Sequence, residues 1–128
     1  MTIVVTAAVV ERDGCVLVTR RMKGHLEGCW EFPGGKCDGD ETLADCLIRE
    51  LQEELAVDAT IGEEVLTTTH RYPDRSVELH FFQCALRGEP IPQLGQAMRW
   101  VPREDLGTLE FPPADAELIA MLMDQGRP

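Results

Sequence analysis

No stretch of the 128 residues approaches the ~20 consecutive apolar residues of a membrane-spanning helix. Met1-Thr2-Ile3 runs straight into a strand-like segment, without the basic start and cleavage site of a secretory signal. Basic residues are few: 12 Lys and Arg stand against 23 Asp and Glu, for a net charge of −11. Such a charge argues against binding a long nucleic acid, whose phosphates need a basic face, but not against a single nucleotide. The cysteines, Cys15, Cys29, Cys37, Cys46 and Cys84, are odd in number and include no CxxC, so neither a disulfide framework nor a zinc site is indicated. They are expected to be reduced and mostly to fill small packing spaces. His25, His70 and His80 show no ligand spacing and are expected on strands or loops. Repeats, linkers and low-complexity segments are missing too. What remains is one soluble domain over residues 1–128, expected in the cytoplasm, with 44% hydrophobic and 27% charged residues.

The densest information lies between Gly34 and Val57, GGKCDGDETLADCLIRELQEELAV. Glu50, Glu53 and Glu54 stand at i, i+3 and i+4, so a helix places them on one face. Like charges that close destabilise a helix unless a cation lies among them. Such hard oxygen ligands suit Mg²⁺ or Mn²⁺. Ala44, Leu47, Ile48, Leu51 and Leu55 form an apolar stripe beside them, so buried neighbours anchor the glutamates. Asp40 or Thr42 is placed to cap the helix, and Pro33-Gly34-Gly35 reads as a turn that brings backbone close to a ligand. A solvated acidic helix is the bland alternative.

The spacing is more specific than an acidic helix requires. Gly35, Glu41 and Arg49-Glu50-Leu51-Gln52-Glu53-Glu54 follow G-x5-E-x7-R-E-U-x-E-E-x-G-U, with U aliphatic, and this resembles the Nudix box. One fixed position departs: Ala56 stands where the family has glycine, at the helix exit. VTRR (Val18 to Arg21), EFPGGK (Glu31 to Lys36), PDR (Pro73 to Arg75) and FPPAD (Phe111 to Asp115) extend the resemblance over nearly the whole chain, toward MutT-like nucleoside triphosphate pyrophosphohydrolases.

The resemblance implies a role for each matching residue. Glu50, Glu53 and Glu54 would bind metal with help from the Gly35 carbonyl, and Glu50 would orient or deprotonate the attacking water. Arg49 would brace the carboxylates by bidentate salt bridges. Glu50, Glu53 and Arg49 are thus the catalytic candidates. Arg21, Lys36 and Arg75 would meet the nucleotide or its phosphates, with Arg20 and Lys23 also near the box. Phe32 and Tyr72 would line the base pocket, with core packing the competing reading. Asp115 falls where the family's base-reading asparagine lies, although it is also placed to cap the last helix. Arg99 replaces an extra glutamate that some relatives carry before the late-strand tryptophan.

The implied activity is hydrolysis of a (deoxy)nucleoside triphosphate to monophosphate and pyrophosphate, with Mg²⁺ or Mn²⁺ as cofactor. The expected role is nucleotide-pool sanitation and hence DNA repair, with 8-oxo-dGTP the first candidate. The alternatives are a CTP, dCTP or modified-cytidine substrate, another nucleoside diphosphate-linked substrate, or a non-catalytic Nudix-like binding module. A nucleotide is the expected partner, without polymeric nucleic acid or membrane, for a monomer or homodimer.

Hydrophobic periodicity predicts strands at Ile3–Val10, Cys15–Arg21, Trp30–Phe32, Asp58–Arg71, Ser76–Leu86 and Ala97–Val101, and a brief strand and turn over Lys36–Asp40. Helices are predicted at Thr42–Leu55 and Ala114–Met123, the latter with Leu118, Ile119 and Leu122 inward. Arg12-Asp13-Gly14 and Tyr72–Arg75 read as turns, Gly62 as a bulge, and Gly88–Gly95 as a surface loop. The fold class is α/β, a mixed sheet with helices on both sides, in agreement with the α/β/α sandwich of Nudix proteins.

Overall fold

A computed structural model describes residues 1–22, 24 and 27–125; Lys23 and His25, singled out above, lie outside the described residues. Continuous apolar runs rich in β-branched residues, buried on both faces, give β1 (Thr2–Arg12) and β2 (Cys15–Arg20). The hairpin between them turns on Asp13 and Gly14, both at positive φ, as a two-residue turn of this twist requires. β3 (Trp30–Glu31) and β4 (Gly34–Lys36) follow, then helix α1 (Leu43–Leu55). A long hairpin of β5 (Asp58–Tyr72) and β6 (Arg75–Arg87) comes next, then β7 (Ala97–Pro102). Two 3₁₀ segments, Arg103–Thr108 and Pro113–Asp115, lead into α2 (Ala116–Gln125).

Among the described residues the sheet runs β3-β2-β1-β6-β5, with β4 pairing β1 and β7 pairing β2. It is mixed: β1 and β6 are parallel, Thr2 facing Ser76 through Val10 facing Cys84, and the other pairs are antiparallel. The bulge expected at Gly62 appears as register shifts between Ile61 and Leu66. Side chains on one face of the sheet (Ala7, Val9, Val18, Phe81) pack with Leu118 and Leu122 of α2. The other face (Ala8, Val10, Leu17, Ala59) packs against Leu47, Leu51 and Leu55 of α1. The fold is therefore the expected sandwich. Among the described residues no helix is long and apolar enough to cross a membrane.

Four local expectations are corrected. Gly34 and Gly35 lie in β4 rather than a turn, pairing with Ala7 and Thr6. They do so because β1 passes so close that a side chain at Gly34 would overlap the Thr6 carbonyl. Ile48 is 36% exposed, whereas Cys46 is buried, so α1 is rotated slightly from the predicted stripe. Cys37 and Cys46 are not reduced: they form a disulfide, because the segment after β4 returns to the first turn of α1 with the two Cα atoms 5.3 Å apart. Finally, the last helical segment begins as a 3₁₀ turn, and α2 proper starts at Ala116.

Candidate active site

Helix α1 is set by its ends. The Thr42 hydroxyl accepts from the Asp45 amide at 3.1 Å and so is the N-cap. At the other end Ala56 adopts the left-handed region (φ 50, ψ 43), donating its amide to Gln52 O at 3.0 Å. The helix thus ends as the glycine pattern requires, but on a residue with a Cβ.

Between these ends the carboxylates fall into two groups. Arg49 donates through Nε and Nη2 to Glu41 at 2.7 and 3.0 Å, a bidentate pair. Its Nη1 reaches Glu50 at 3.1 Å and Glu53 at 3.1 Å, and Nη2 also meets the Lys36 carbonyl at 3.1 Å. Arg49 therefore ties α1 to β4 and to the loop between them. The Arg49 hydrogen bond, aided by the Asp38 amide, holds Glu41 down at about 2. Glu53 keeps 58% of its side chain exposed, whereas Glu50 keeps 13%.

Glu50 and Glu54 face inward. A Cβ at Gly35 would overlap the Glu50 carboxylate, so glycine is what lets β4 and this glutamate approach. Burial raises the Glu50 pKa against the opposing Arg49 charge. Burial, then the Glu31 and Glu50 charges, push Glu54 up to about 8, although the Gly34 amide donates to it at 3.3 Å. The donor set is oxygen only, and the carboxylates repel one another. Both features fit a hard divalent cation, which would relieve that repulsion. Among the described residues no three His, Cys, Asp or Glu side chains are already drawn together as a closed metal cage.

Beside these carboxylates opens a cleft of about 240 Å³, walled by Arg21, Glu31, Phe32, Tyr72, Arg75 and Asp115. Phe32 serves both readings: it lines the cleft and packs edge-on to Phe81 (5.9 Å) and stacked on Phe111 (5.4 Å). At the hairpin tip Arg75 lies over the Tyr72 ring at 5.3 Å. Asp115 is buried at 5% exposure. Burial, then the Glu31 charge, raise it to about 7, against the opposing pull of Arg21. Lys36 is exposed at the end of β4 and is not among the described lining residues. Arg99 stacks on Trp30 at 5.5 Å.

Glu31 was not singled out from the sequence, yet it joins the two halves of the site. It pairs with Arg21 at 2.8 Å, and its charge is felt by both Glu54 and Asp115. Its place beside Pro33-Gly34-Gly35 in the EFPGGK segment was the available signal.

A model of the NUDIX domain matches residues 5–121. The chain belongs to the Nudix family. A CTP pyrophosphohydrolase of Escherichia coli (strain K12) is 36% identical over 121 residues, 93% of this chain and 90% of the relative. An 8-oxo-dGTP diphosphatase of Haemophilus influenzae is 34% identical over 124 residues, 94% and 91% of the two chains. Among solved structures, that of the E. coli ORF135 protein superposes with a TM-score of 0.85 at 35% identity, covering 99% of this chain and 94% of that one.

Proposed function

We propose that this Nudix protein is a divalent-metal-dependent pyrophosphohydrolase that cleaves a (deoxy)nucleoside triphosphate to monophosphate and pyrophosphate, and that residues 1–128 are one catalytic domain. The observation that carries this reading is the shared Arg21–Glu31 pair. The pair lines the cleft of about 240 Å³, and its Glu31 charge acts on Glu54 of the Arg49-braced helix, which supports reading cleft and carboxylates as one site. A bound divalent ion, with Mg²⁺ the first choice, would supply charge neutralisation for the phosphates and a water of lowered pKa. Glu50, Glu53 and Glu54 would hold it, with the Gly35 carbonyl beside them.

The chain's own groups do the rest. Glu50, held against Gly35 and fixed by Arg49, orients the attacking water and accepts its proton. Arg21, Arg75 and Lys36 stabilise charge on the phosphate oxygens. Phe32 and Tyr72 flank the base, and Asp115 meets its edge. A protonated Asp115 both donates and accepts, as asparagine does, and suits 8-oxo-dGTP. An ionised Asp115 only accepts and suits the exocyclic amine of a cytosine nucleotide. Aspartate at this position, together with the CTP pyrophosphohydrolase relative, favours CTP or dCTP as the second reading.

Pyrophosphate release with Mg²⁺ from a panel of 8-oxo-dGTP, CTP, dCTP, nucleotide sugars and dinucleoside polyphosphates tests the reading. Turnover of a triphosphate and near-silence with the others is expected. Glu53→Gln should abolish metal-dependent turnover while the circular dichroism spectrum is kept; near-normal release would overturn the metal assignment.

A further inference from the structure

We infer that Gln96 is a positioning residue for Glu54, acting through the backbone of the last turn of α1. This rests on the metal-binding reading of Glu54 proposed above. A helix end leaves carbonyls without intrahelical partners, and at α1 the loop between β6 and β7 supplies the missing donors. Ile91 N–H donates to Leu55 O at 2.8 Å and Gln93 N–H to Glu54 O at 2.9 Å. The Gln96 side-chain Nε2 adds a second donor to Glu54 O at 3.0 Å, while its Oε1 accepts from the Leu94 amide at 2.8 Å.

One side-chain amide thus spans the loop and the carboxylate-bearing residue. It is well placed to hold both. Gln96 immediately precedes β7, whose first residue, Ala97, faces Arg20 of β2, so its own position is set by the sheet. Within the loop Pro90 is buried, but beyond it Ile91 is 59% exposed and Leu94 68%, so the stretch next to Gln96 is held mainly by these hydrogen bonds. Leu94 and Gln96 line a second cleft together with Arg21, Glu31 and Glu54. A displaced Glu54 carbonyl would carry its side chain away from the Gly34 amide and from Glu50. The αL exit on Ala56 donates to Gln52 O and leaves this carbonyl to the loop.

Two substitutions separate the halves of the amide. Q96E keeps the acceptor for the Leu94 amide but offers the Glu54 carbonyl no donor. Q96M keeps the volume and loses both. Mn²⁺ affinity is measured without substrate by electron paramagnetic resonance, beside melting temperature, nucleotide KM and the metal concentration at half-maximal activity. Both variants should weaken Mn²⁺ binding and raise the metal half-saturation about three- to tenfold, with nucleotide KM within twofold of the parent. Mn²⁺ affinity within twofold of the parent in both variants overturns the proposal. So does a Q96E that matches the parent while Q96M does not, since Gln96 then acts only on the loop. Loss of cooperative melting in both marks Gln96 as a stability residue and also overturns it. If the parent chain itself binds no Mn²⁺, the metal reading of the carboxylates fails, a distinct result.

Discussion

Asp115→Asn tests the electrostatics of the cleft most directly. Asp115 carries a carboxyl whose folded pKa stands at about 7 against an ordinary 3.8. A raised pKa means that the folded chain holds a proton that the unfolded chain releases between those two values. Stability therefore falls as pH rises from about 4 to about 7 and levels off above. Each pH unit in that window costs roughly 1.4 kcal/mol. Asparagine has the same shape and no proton to lose. From pH 5 to pH 8 the stability of D115N relative to the parent should accordingly grow by about 3 kcal/mol. In a chain of this length that corresponds to a widening of the melting-temperature gap by roughly 10 °C. Melts of both proteins by circular dichroism, in chelator at pH 5 and pH 8, measure it. A gap that moves by less than about 2 °C, or roughly 0.5 kcal/mol, would show Asp115 ionised throughout and refute the reasoning. The same variant reports on the base. If Asp115 acts protonated, D115N keeps the ratio of kcat/KM for 8-oxo-dGTP over dCTP; if it acts ionised, the ratio rises by the 10- to 100-fold that about 1–3 kcal/mol allows.

Ala56 holds a left-handed conformation at an exposed helix exit, so Ala56→Gly should raise stability by about 1 kcal/mol, read as a higher urea midpoint with unchanged slope. Reducing the Cys37–Cys46 disulfide should lower stability by about 2–3 kcal/mol, the loop-entropy scale for so short a ring, and a C37S/C46S chain should be indifferent to dithiothreitol. Metal must displace the proton that Glu54 holds up to about 8, so Mn²⁺ affinity should climb toward tenfold per pH unit below pH 8 and level above it. Titrations from pH 6 to 9 that show a flat affinity would remove Glu54 from the metal site.

Periodicity located nearly every element, because the strands are β-branched and the box helix carries a clear apolar stripe. The carboxylate face was legible for the same reason: helix spacing places Glu50 and Glu54 together whatever surrounds them. What it could not convey was the division among the three glutamates. Glu53 turns out to Arg49, while Glu50 and Glu54 turn in, and that choice is made by β4 and Gly35, not by the helix. The disulfide was hidden because an odd cysteine count says nothing about which two meet across a turn. Glu31 was hidden because its partners lie just after β2, on α1 and in the segment before α2, and the fold alone brings them together.

That arrangement also explains how the site and the stability of the chain pull against each other. Glu31, Glu50, Glu54 and Asp115 bring acidic groups into one partly buried region of a chain already at −11. Arg21 reaches Glu31, and Arg49 reaches Glu50, but Glu54 and Asp115 are left to hold protons near neutrality. A metal ion bound at the carboxylates would lower Glu54 and so expel its proton. Asp115 feels the same Glu31 charge that Glu54 feels. A cation at the carboxylates would act in the same direction as Arg21, which already opposes the acidic field at both Glu54 and Asp115.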